Sequence, residues 1–176
     1  FGSMIFYAIT GTVELAQMAF VLTQDGFFTV DNYANYSLVL VGFIFMFAAI
    51  GFKLSLFPYH IWVPDVYQGS TSAMAGFLSV VPKMAGFVVA LRFFEIFMNL
   101  NDAIIHTMLY VTVILTMTIP NLIALQQKDI KRMLSYSSIS NAGMAMATIV
   151  IGTQQAINGL FLYWVLFTVT NLGAFG

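Results

Sequence analysis

Two lysines stand inside long apolar stretches of this sequence. Lys53 follows the apolar run Ser37 to Phe52, and Lys83 lies near the middle of the apolar run 71–97. A charged group in hydrocarbon is costly, and burial favours the neutral form of a lysine, so lysines at this depth can gain and lose protons. The residue type and its placement therefore predict proton transfer within a membrane.

Prolines close to both lysines predict loosened helix backbone. Within a helix Pro58 lacks a hydrogen-bond donor and pushes away the carbonyl of Leu54, and Pro82 does the same to Leu78. Backbone groups freed at membrane depth must line a cavity or be buried in protein. We therefore predict helix breaks at Leu54 and Pro58 and at Pro82, the latter directly before Lys83.

His60 is the third candidate for proton transfer, because imidazole titrates near neutral pH and could pass protons between the lysines or to water. A histidine held in a loop by hydrogen bonds is an equally good interpretation. For His106 a position at the membrane interface is favoured. Tyr67 and Tyr136 are interpreted as interface anchors rather than as members of a proton relay.

A structural interpretation competes with proton transfer. In it Lys53 extends its ammonium group to the membrane surface, Pro58 only kinks a helix, and the chain is a structural membrane bundle. The depth of Lys53 within its apolar run argues against that extension.

Composition places the whole chain in a membrane. Of its 176 residues 60% are hydrophobic and 7% are charged, and the mean hydropathy is +0.91, whereas soluble domains are about 25% charged. The net charge of -1, without a basic cluster interleaved with stacking aromatic residues, argues against a nucleic-acid partner. The chain has no cysteine, and its two histidines lack the spacing of a metal site. We therefore expect no catalytic residue, metal or redox cofactor within it.

The hydropathy pattern predicts an all-α, polytopic transmembrane helix bundle. The segment 37–66 is too long for one straight span of about 20 residues, so a discontinuous helix fits it best. Residues 12–23 either form an interfacial helix, which we prefer, or extend the first span. The predicted elements of this single membrane domain are the end of a spanning helix at 1–10, an interfacial helix at 12–23, the broken helix at 37–66, and spanning helices at 71–97, 103–125, 133–151 and 156–176.

Basic residues in the loops predict the orientation. The loop 126–132 holds three of the six lysines and arginines, which indicates the cytoplasmic side. Counting spans places the turn 65–69 on that same side. The loops 24–36 and 99–102, with acidic residues only, then face the opposite side.

Two stretches of the chain resemble subunit N of bacterial NADH:quinone oxidoreductase, respiratory complex I, a family that includes mitochondrial subunit 2 and its plastid counterpart. They are FKLSLFPYHIWVPDVYQGS at 52–70, together with Lys83, and NLIALQQKDIKRMLSYSSIS at 121–140. The resemblance implies an antiporter-like fold with inverted repeats, of which this chain would hold the part from the end of helix 6 to helix 11. Helix 7 of that fold is discontinuous and would carry Lys53, and helix 8 would carry Lys83.

The resemblance also implies a function. The chain would be a proton-translocating subunit of an enzyme complex, moving protons along a polar axis and driven by quinone reduction elsewhere. NAD, FMN, Fe–S clusters and quinone would be bound by other subunits. The expected partners are other membrane subunits, especially neighbouring antiporter-like ones, together with protons and the lipid bilayer of a bacterial inner membrane. A subunit of a cation/proton antiporter or a membrane-bound hydrogenase is the alternative, and the first stretch favours complex I.

Some positions depart from the family pattern. Residues 70–72 replace prolines that commonly follow the glycine of YQG, Pro82 stands where a serine often precedes the helix 8 lysine, and Asn141 replaces a histidine found in many members. The family's helix 5 glutamate and helix 12 lysine fall outside this sequence. A complete half-channel is therefore not expected within it.

Overall fold

The structure, a computed structural model, describes residues 1–23, 33–98, 100 and 102–175. This part of the chain is all-α, as predicted, and five of its helices, α3 and α5 to α8, are long and apolar enough to cross a membrane. The helices are α1 Gly2–Thr10, α2 Leu15–Leu22, α3 Tyr33–Leu54, α4 Trp62–Gly69, α5 Ser72–Met98, α6 Ala103–Ala124, α7 Ile130–Ile151 and α8 Gln154–Phe175.

A sharp bend separates the first two helices. Gly11 ends α1 with φ of 70°, and its N–H donates to the carbonyl of Tyr7, a left-handed conformation that glycine adopts without steric cost. Glu14 is the N-cap of α2, and its N–H donates to the Thr12 hydroxyl at 3.1 Å. The 60° bend between α1 and α2 fits either a broken span or an interfacial α2.

The predicted discontinuous helix is present. It starts at Tyr33, earlier than expected, and α3 ends at Leu54. The chain then turns through residues 55–61 before α4 continues it. Ser55, at the start of this break, has φ of 63°, a conformation uncommon outside glycine. Pro58 lies in this turn rather than within a helix. The helix is therefore interrupted at Pro58 and not merely kinked.

The predicted helix break at Pro82 is wrong. Pro82 lies inside α5, which runs without interruption from Ser72 to Met98. A proline in a membrane helix costs one backbone hydrogen bond, and neighbouring helices can hold such a helix together. Here α5 packs against α3, α4, α7 and α8, so its position is fixed from several sides.

An aromatic core joins α3 to α5. The rings of Phe43 and Phe97 lie 4.9 Å apart, those of Phe93 and Phe97 also 4.9 Å, and all three side chains are buried. On the other side of the bundle, α6 and α7 pack closely at Gly143, where an added Cβ would lie 2.9 Å from Cγ of Met117. Small residues permit such close approach of membrane helices. The first contact joins α3 to α5, and the second joins α6 to α7.

Candidate functional site

Lys83 is buried between two helices. Its side chain, on α5, is 2% exposed, and its ammonium group donates to both the carbonyl oxygen and the hydroxyl of Ser138 on α7, at 2.9 and 2.8 Å. In the described part of the chain no carboxylate pairs with it, since the ion pair found there joins Arg132 to Asp65. A lysine held only by neutral oxygens, away from water, is suited to gaining and losing a proton.

Lys53 lies in different surroundings. Its side chain is exposed, whereas the side chain of Lys83 is buried. The buried face of α3 near its end is formed by Phe47 and Leu54. Successive residues of a helix point about 100° apart. Lys53 therefore lies at the edge of the face that carries Leu54, since an added Cβ on Gly86 would come close to both side chains.

The Lys53 side chain nevertheless touches α5. It borders an apolar groove of about 360 Å³ between α3 and α5, and an added Cβ on Gly86 would lie 3.4 Å from its Cγ. Gly86 follows Lys83 by less than one helical turn. The Lys53 side chain therefore contacts α5 close to the level at which Lys83 projects from that helix. The two ammonium groups nevertheless face different environments. The other groove residues are Met46, Ala49, Ile50, Ala85 and Val89.

The helix break contains unpartnered buried polar atoms. His60 is 7% exposed, and its ring stacks on that of Phe57 with centroids 5.6 Å apart. Neither its Nδ1 nor the hydroxyl of Ser55 has a hydrogen-bond partner among the residues that the structure describes. The sequence left a relay histidine and a hydrogen-bonded loop histidine equally open. The Nδ1 atom makes no hydrogen bond to the described residues, and a role of His60 in a proton relay stays a prediction.

The break is anchored to α6 by a residue that sequence reasoning missed. The N–H of Phe57 donates to the Thr116 hydroxyl at 2.9 Å, and that hydroxyl donates to the carbonyl of Thr112 at 2.6 Å. Thr116 is completely buried. The only signal in the sequence was a polar side chain within an apolar span, which by itself does not say what the side chain contacts.

Tyr67 also differs from its prediction. Its side chain is 1% exposed and packs among buried residues of α4, α5, α7 and α8, so it does not anchor the chain at the lipid interface. Tyr136 belongs to the same cluster and is 9% exposed. His106, at the start of α6, has its Nε2 2.9 Å from the carbonyl of Leu100.

Charged residues tie α4 to the beginning of α7. Arg132 donates to Asp65 at 2.8 Å and to Gln68 at 2.9 Å, and Lys131 donates to the Ser70 carbonyl at 3.1 Å. Residues 65–69, which the sequence predicted as a turn, form the end of the helix α4 and lie beside the basic loop, on the side that the count of spans predicted. These contacts hold the half-helix that follows the break against the helix that carries Ser138.

Comparison with known proteins gives the family. The profile of the family described as "NADH:quinone oxidoreductase/Mrp antiporter, TM" matches residues 1–176. The chain belongs to this family. NADH-quinone oxidoreductase subunit N of Sulfurimonas denitrificans is 54% identical over 99% of the chain, and that of Helicobacter hepaticus is 48% identical over all of it. The predicted resemblance to subunit N is thereby confirmed. The chain spans 34% and 35% of the lengths of these relatives.

Solved structures of respiratory membrane complexes share the fold. The membrane-bound sulfane sulfur reductase, an archaeal respiratory membrane complex, matches 99% of the chain with a TM-score of 0.83 and 26% identity, and this match covers 34% of the longer chain. Respiratory complex I of Thermus thermophilus matches 99% with a TM-score of 0.69 and 32% identity, again over 34% of its chain. The antiporter-like membrane fold is confirmed, and the chain is a multi-pass integral protein of the inner membrane.

A resident metal has no evident ligands in the described residues. No group of three or more histidine, cysteine, aspartate or glutamate side chains comes together there. The buried polar side chains of the described residues include His60, Lys83, Thr116 and Ser138.

Proposed function

We propose that the chain forms part of an antiporter-like membrane subunit of an NADH:quinone oxidoreductase and that Lys83 carries protons within it. The observation that supports this is the burial of Lys83 against two oxygens of Ser138, without a carboxylate partner in the described residues. Lysine can lose its proton when buried, whereas arginine keeps it in any protein environment. A fixed structural charge would not require lysine.

Lys53 and His60 are assigned supporting roles in proton transfer. Lys53 lies beside α5 near the level of Lys83, and His60 lies in the break that directly follows α3. Protons would pass between the lysines through His60 or through bridging water. A small movement at the break, near Leu54 and Pro58, would change the surroundings of Lys53.

The energy source and the redox cofactors are proposed to lie outside this chain. Quinone reduction elsewhere in the complex would drive the protonation cycle. NAD, FMN and Fe–S clusters would be bound by other subunits, and the partners would be neighbouring antiporter-like membrane subunits. The 54% identity to a protein named as subunit N supports this assignment.

A second candidate is a subunit of a related ion-translocating respiratory complex. The TM-score of 0.83 to the archaeal sulfane sulfur reductase favours it, but the identity to that protein is 26%, well below that to subunit N. Copurification distinguishes the two candidates. If the intact subunit is recovered with partners that do not oxidise NADH, the second candidate is correct.

The function is tested by replacing Lys83 in the intact complex. Lys83→Ala and Lys83→Arg should both lower NADH-driven proton uptake into inverted membrane vesicles, normalised to assembled complex. Lys128→Ala, which removes an exposed lysine of the loop before α7, is the matched control and should pump normally. Wild-type pumping by Lys83→Arg would show that a fixed positive charge suffices and would overturn the proposed protonation cycle.

A further inference from the structure

The last turn of α3 ends in carbonyl groups that need hydrogen-bond partners. The last four carbonyls of an α-helix have no partner within the helix. Two of them accept from the break itself: the carbonyl of Gly51 from the Leu56 N–H at 2.8 Å, and that of Phe52 from the Ser55 N–H at 3.2 Å. Backbone oxygens at membrane depth need such partners, because hydrocarbon offers none.

Trp62, the first residue of α4, supplies a second donor to one of these carbonyls. Its indole N–H donates to the Phe52 carbonyl at 3.2 Å. Its ring stacks on that of Phe52, with centroids 5.3 Å apart and an angle of 24° between the planes. Phe52 lies on α3 and Trp62 on α4, on opposite sides of the break. The indole therefore joins the two half-helices directly.

The same turn of α3 is also in contact with the break and with α5. An added Cβ on Gly51 would lie 2.9 Å from Cδ2 of Tyr59, so the tyrosine ring packs on the backbone of α3. An added Cβ on Gly86 would lie 3.4 Å from Cγ of Lys53 and 2.8 Å from Cδ2 of Leu54. The position of Lys53 against α5 therefore depends on how this turn is held.

The donor on Trp62 is itself fixed within the bundle. Trp62 packs against a buried cluster formed by residues of α4, α5, α7 and α8. The ion pair between Arg132 and Asp65 further ties α4 to α7. The indole N–H therefore links the end of α3 to a half-helix that several other helices hold in place.

We propose that Trp62 is a positioning residue for Lys53. The Phe52 carbonyl and Cα of Lys53 belong to one planar peptide unit. A donor fixed on α4 therefore holds this unit and, with it, the place where the Lys53 side chain meets α5. The inference rests on the proposed function, in which Lys53 supports proton transfer. Without the indole N–H, Lys53 would meet α5 in more than one position.

The test removes the indole N–H and keeps the ring. Trp62→3-benzothienylalanine exchanges the N–H for sulfur, which cannot donate, whereas Trp62→5-fluorotryptophan retains the donor. Both are introduced into the intact complex in inverted vesicles. Loss of one hydrogen bond shifts an equilibrium by about two- to tenfold, so the first variant should lower proton uptake per NADH oxidised by about twofold or more. The second variant should keep the wild-type ratio.

Trp164→3-benzothienylalanine is the matched control. Nε1 of Trp164 has no hydrogen-bond partner among the residues that the structure describes, so the same exchange of atoms removes no hydrogen bond there. Its ratio of protons to NADH should stay at the wild-type value. A loss of equal size at Trp62 and Trp164 would show that the altered ring itself is harmful, and it would overturn the role of the Trp62 N–H.

A second measurement follows position 53 without relying on activity. Nitroxide labels at Lys53→Cys and Val89→Cys, which border the same groove between α3 and α5, report their separation by dipolar broadening in the purified complex. The chain has no cysteine of its own, so these are its only labelled positions. Trp62→3-benzothienylalanine should widen the distribution of distances, and Trp62→5-fluorotryptophan should leave it unchanged. An unchanged distribution in both would overturn the positioning role.

The outcomes separate the positioning role from the proposed function. If Lys53→Ala lowers uptake while both Trp62 variants keep the wild-type uptake and label distances, the role of Trp62 is overturned and the proposed function stands. If both Trp62 variants lose uptake equally, the shape of the ring matters rather than its N–H, and the proposal is wrong. If Lys53→Ala pumps normally, the proposed role of Lys53 fails, whereas the label distances still decide whether Trp62 holds the end of α3.

Discussion

Lys83 donates to the Ser138 hydroxyl at 2.8 Å across the contact between α5 and α7. Both side chains are nearly inaccessible to solvent, with exposures of 2% and 1%. The carbonyl of Ser138 accepts from the same ammonium group at 2.9 Å. Ser138 therefore supplies both of the oxygen atoms that accept hydrogen bonds from Lys83.

Ser138→Ala should lower proton transport while leaving the complex assembled. The variant removes one of the two acceptors of Lys83 and keeps the carbonyl, and losing a buried hydrogen bond to a charged group costs about 1.5–3 kcal/mol. The measurement is proton uptake per NADH oxidised, with assembly checked on native gels. Ser137→Ala is the control, because Ser137 is the neighbouring serine and its side chain is exposed. Equal loss in both variants would contradict a specific role for Ser138.

Gly143→Ala should destabilise the bundle. The added methyl group would lie 2.9 Å from Cγ of Met117 and 3.2 Å from its backbone nitrogen, so α6 and α7 must move apart. Such overpacking typically costs about 1–3 kcal/mol. Thermal unfolding of the detergent-solubilised complex measures the change.

Gly159→Ala is the control for that substitution. Gly159 also lies in a helix, and a Cβ there would meet nothing within 4 Å. Alanine favours a helix over glycine by about 1 kcal/mol, so the control should be neutral or slightly stabilising. A Gly143→Ala protein as stable as this control would show that the helices are not in close contact there.

Much of the fold follows from local sequence signals. The apolar runs predicted five spanning helices, and the excess length of 37–66 together with Pro58 predicted the discontinuity. These predictions succeed because membrane thickness and proline stereochemistry act on short stretches of chain. Pro82 shows the limit, since the packing of α5 between its neighbours overrides the same local rule.

The site was harder to predict because it depends on which way each helix faces. The helices α3 and α5 are apolar on nearly all sides, so their sequences do not show that Lys83 turns inward and Lys53 outward. The partner of Lys83 lies 55 residues further along the chain. Ser138 is one of several serines in α7, and only the assembled bundle shows which of them contacts Lys83.

Thr116→Val should destabilise the helix break. Valine has nearly the shape of threonine but cannot accept the hydrogen bond from the Phe57 N–H, which would be left buried without its partner. An unsatisfied buried donor costs about 1–3 kcal/mol. Hydrogen exchange of the amides in 55–61 measures the local effect, and these amides should exchange faster.

Thr118→Val is the matched control on the same helix. The Thr118 side chain is exposed, and its hydroxyl donates to the carbonyl of Ile114 within α6. The same change of atoms should therefore leave exchange in 55–61 unaltered. If the two variants behave alike, the contact between Phe57 and Thr116 does not hold the break in place.

Replacements of Lys53 should distinguish a proton carrier from a fixed charge. Lys53 borders the apolar groove between α3 and α5, and its stem contacts the surface near Gly86. A side chain there that loads and unloads protons cannot be replaced by arginine, which stays charged. Lys53→Ala and Lys53→Arg should therefore both lower NADH-driven proton uptake, normalised to assembled complex. The remaining NADH oxidation is recorded in parallel, because a lower ratio of protons to NADH indicates lost coupling rather than lost enzyme. A Lys53→Arg complex that pumps as well as wild type would show that Lys53 supplies only a positive charge beside α5.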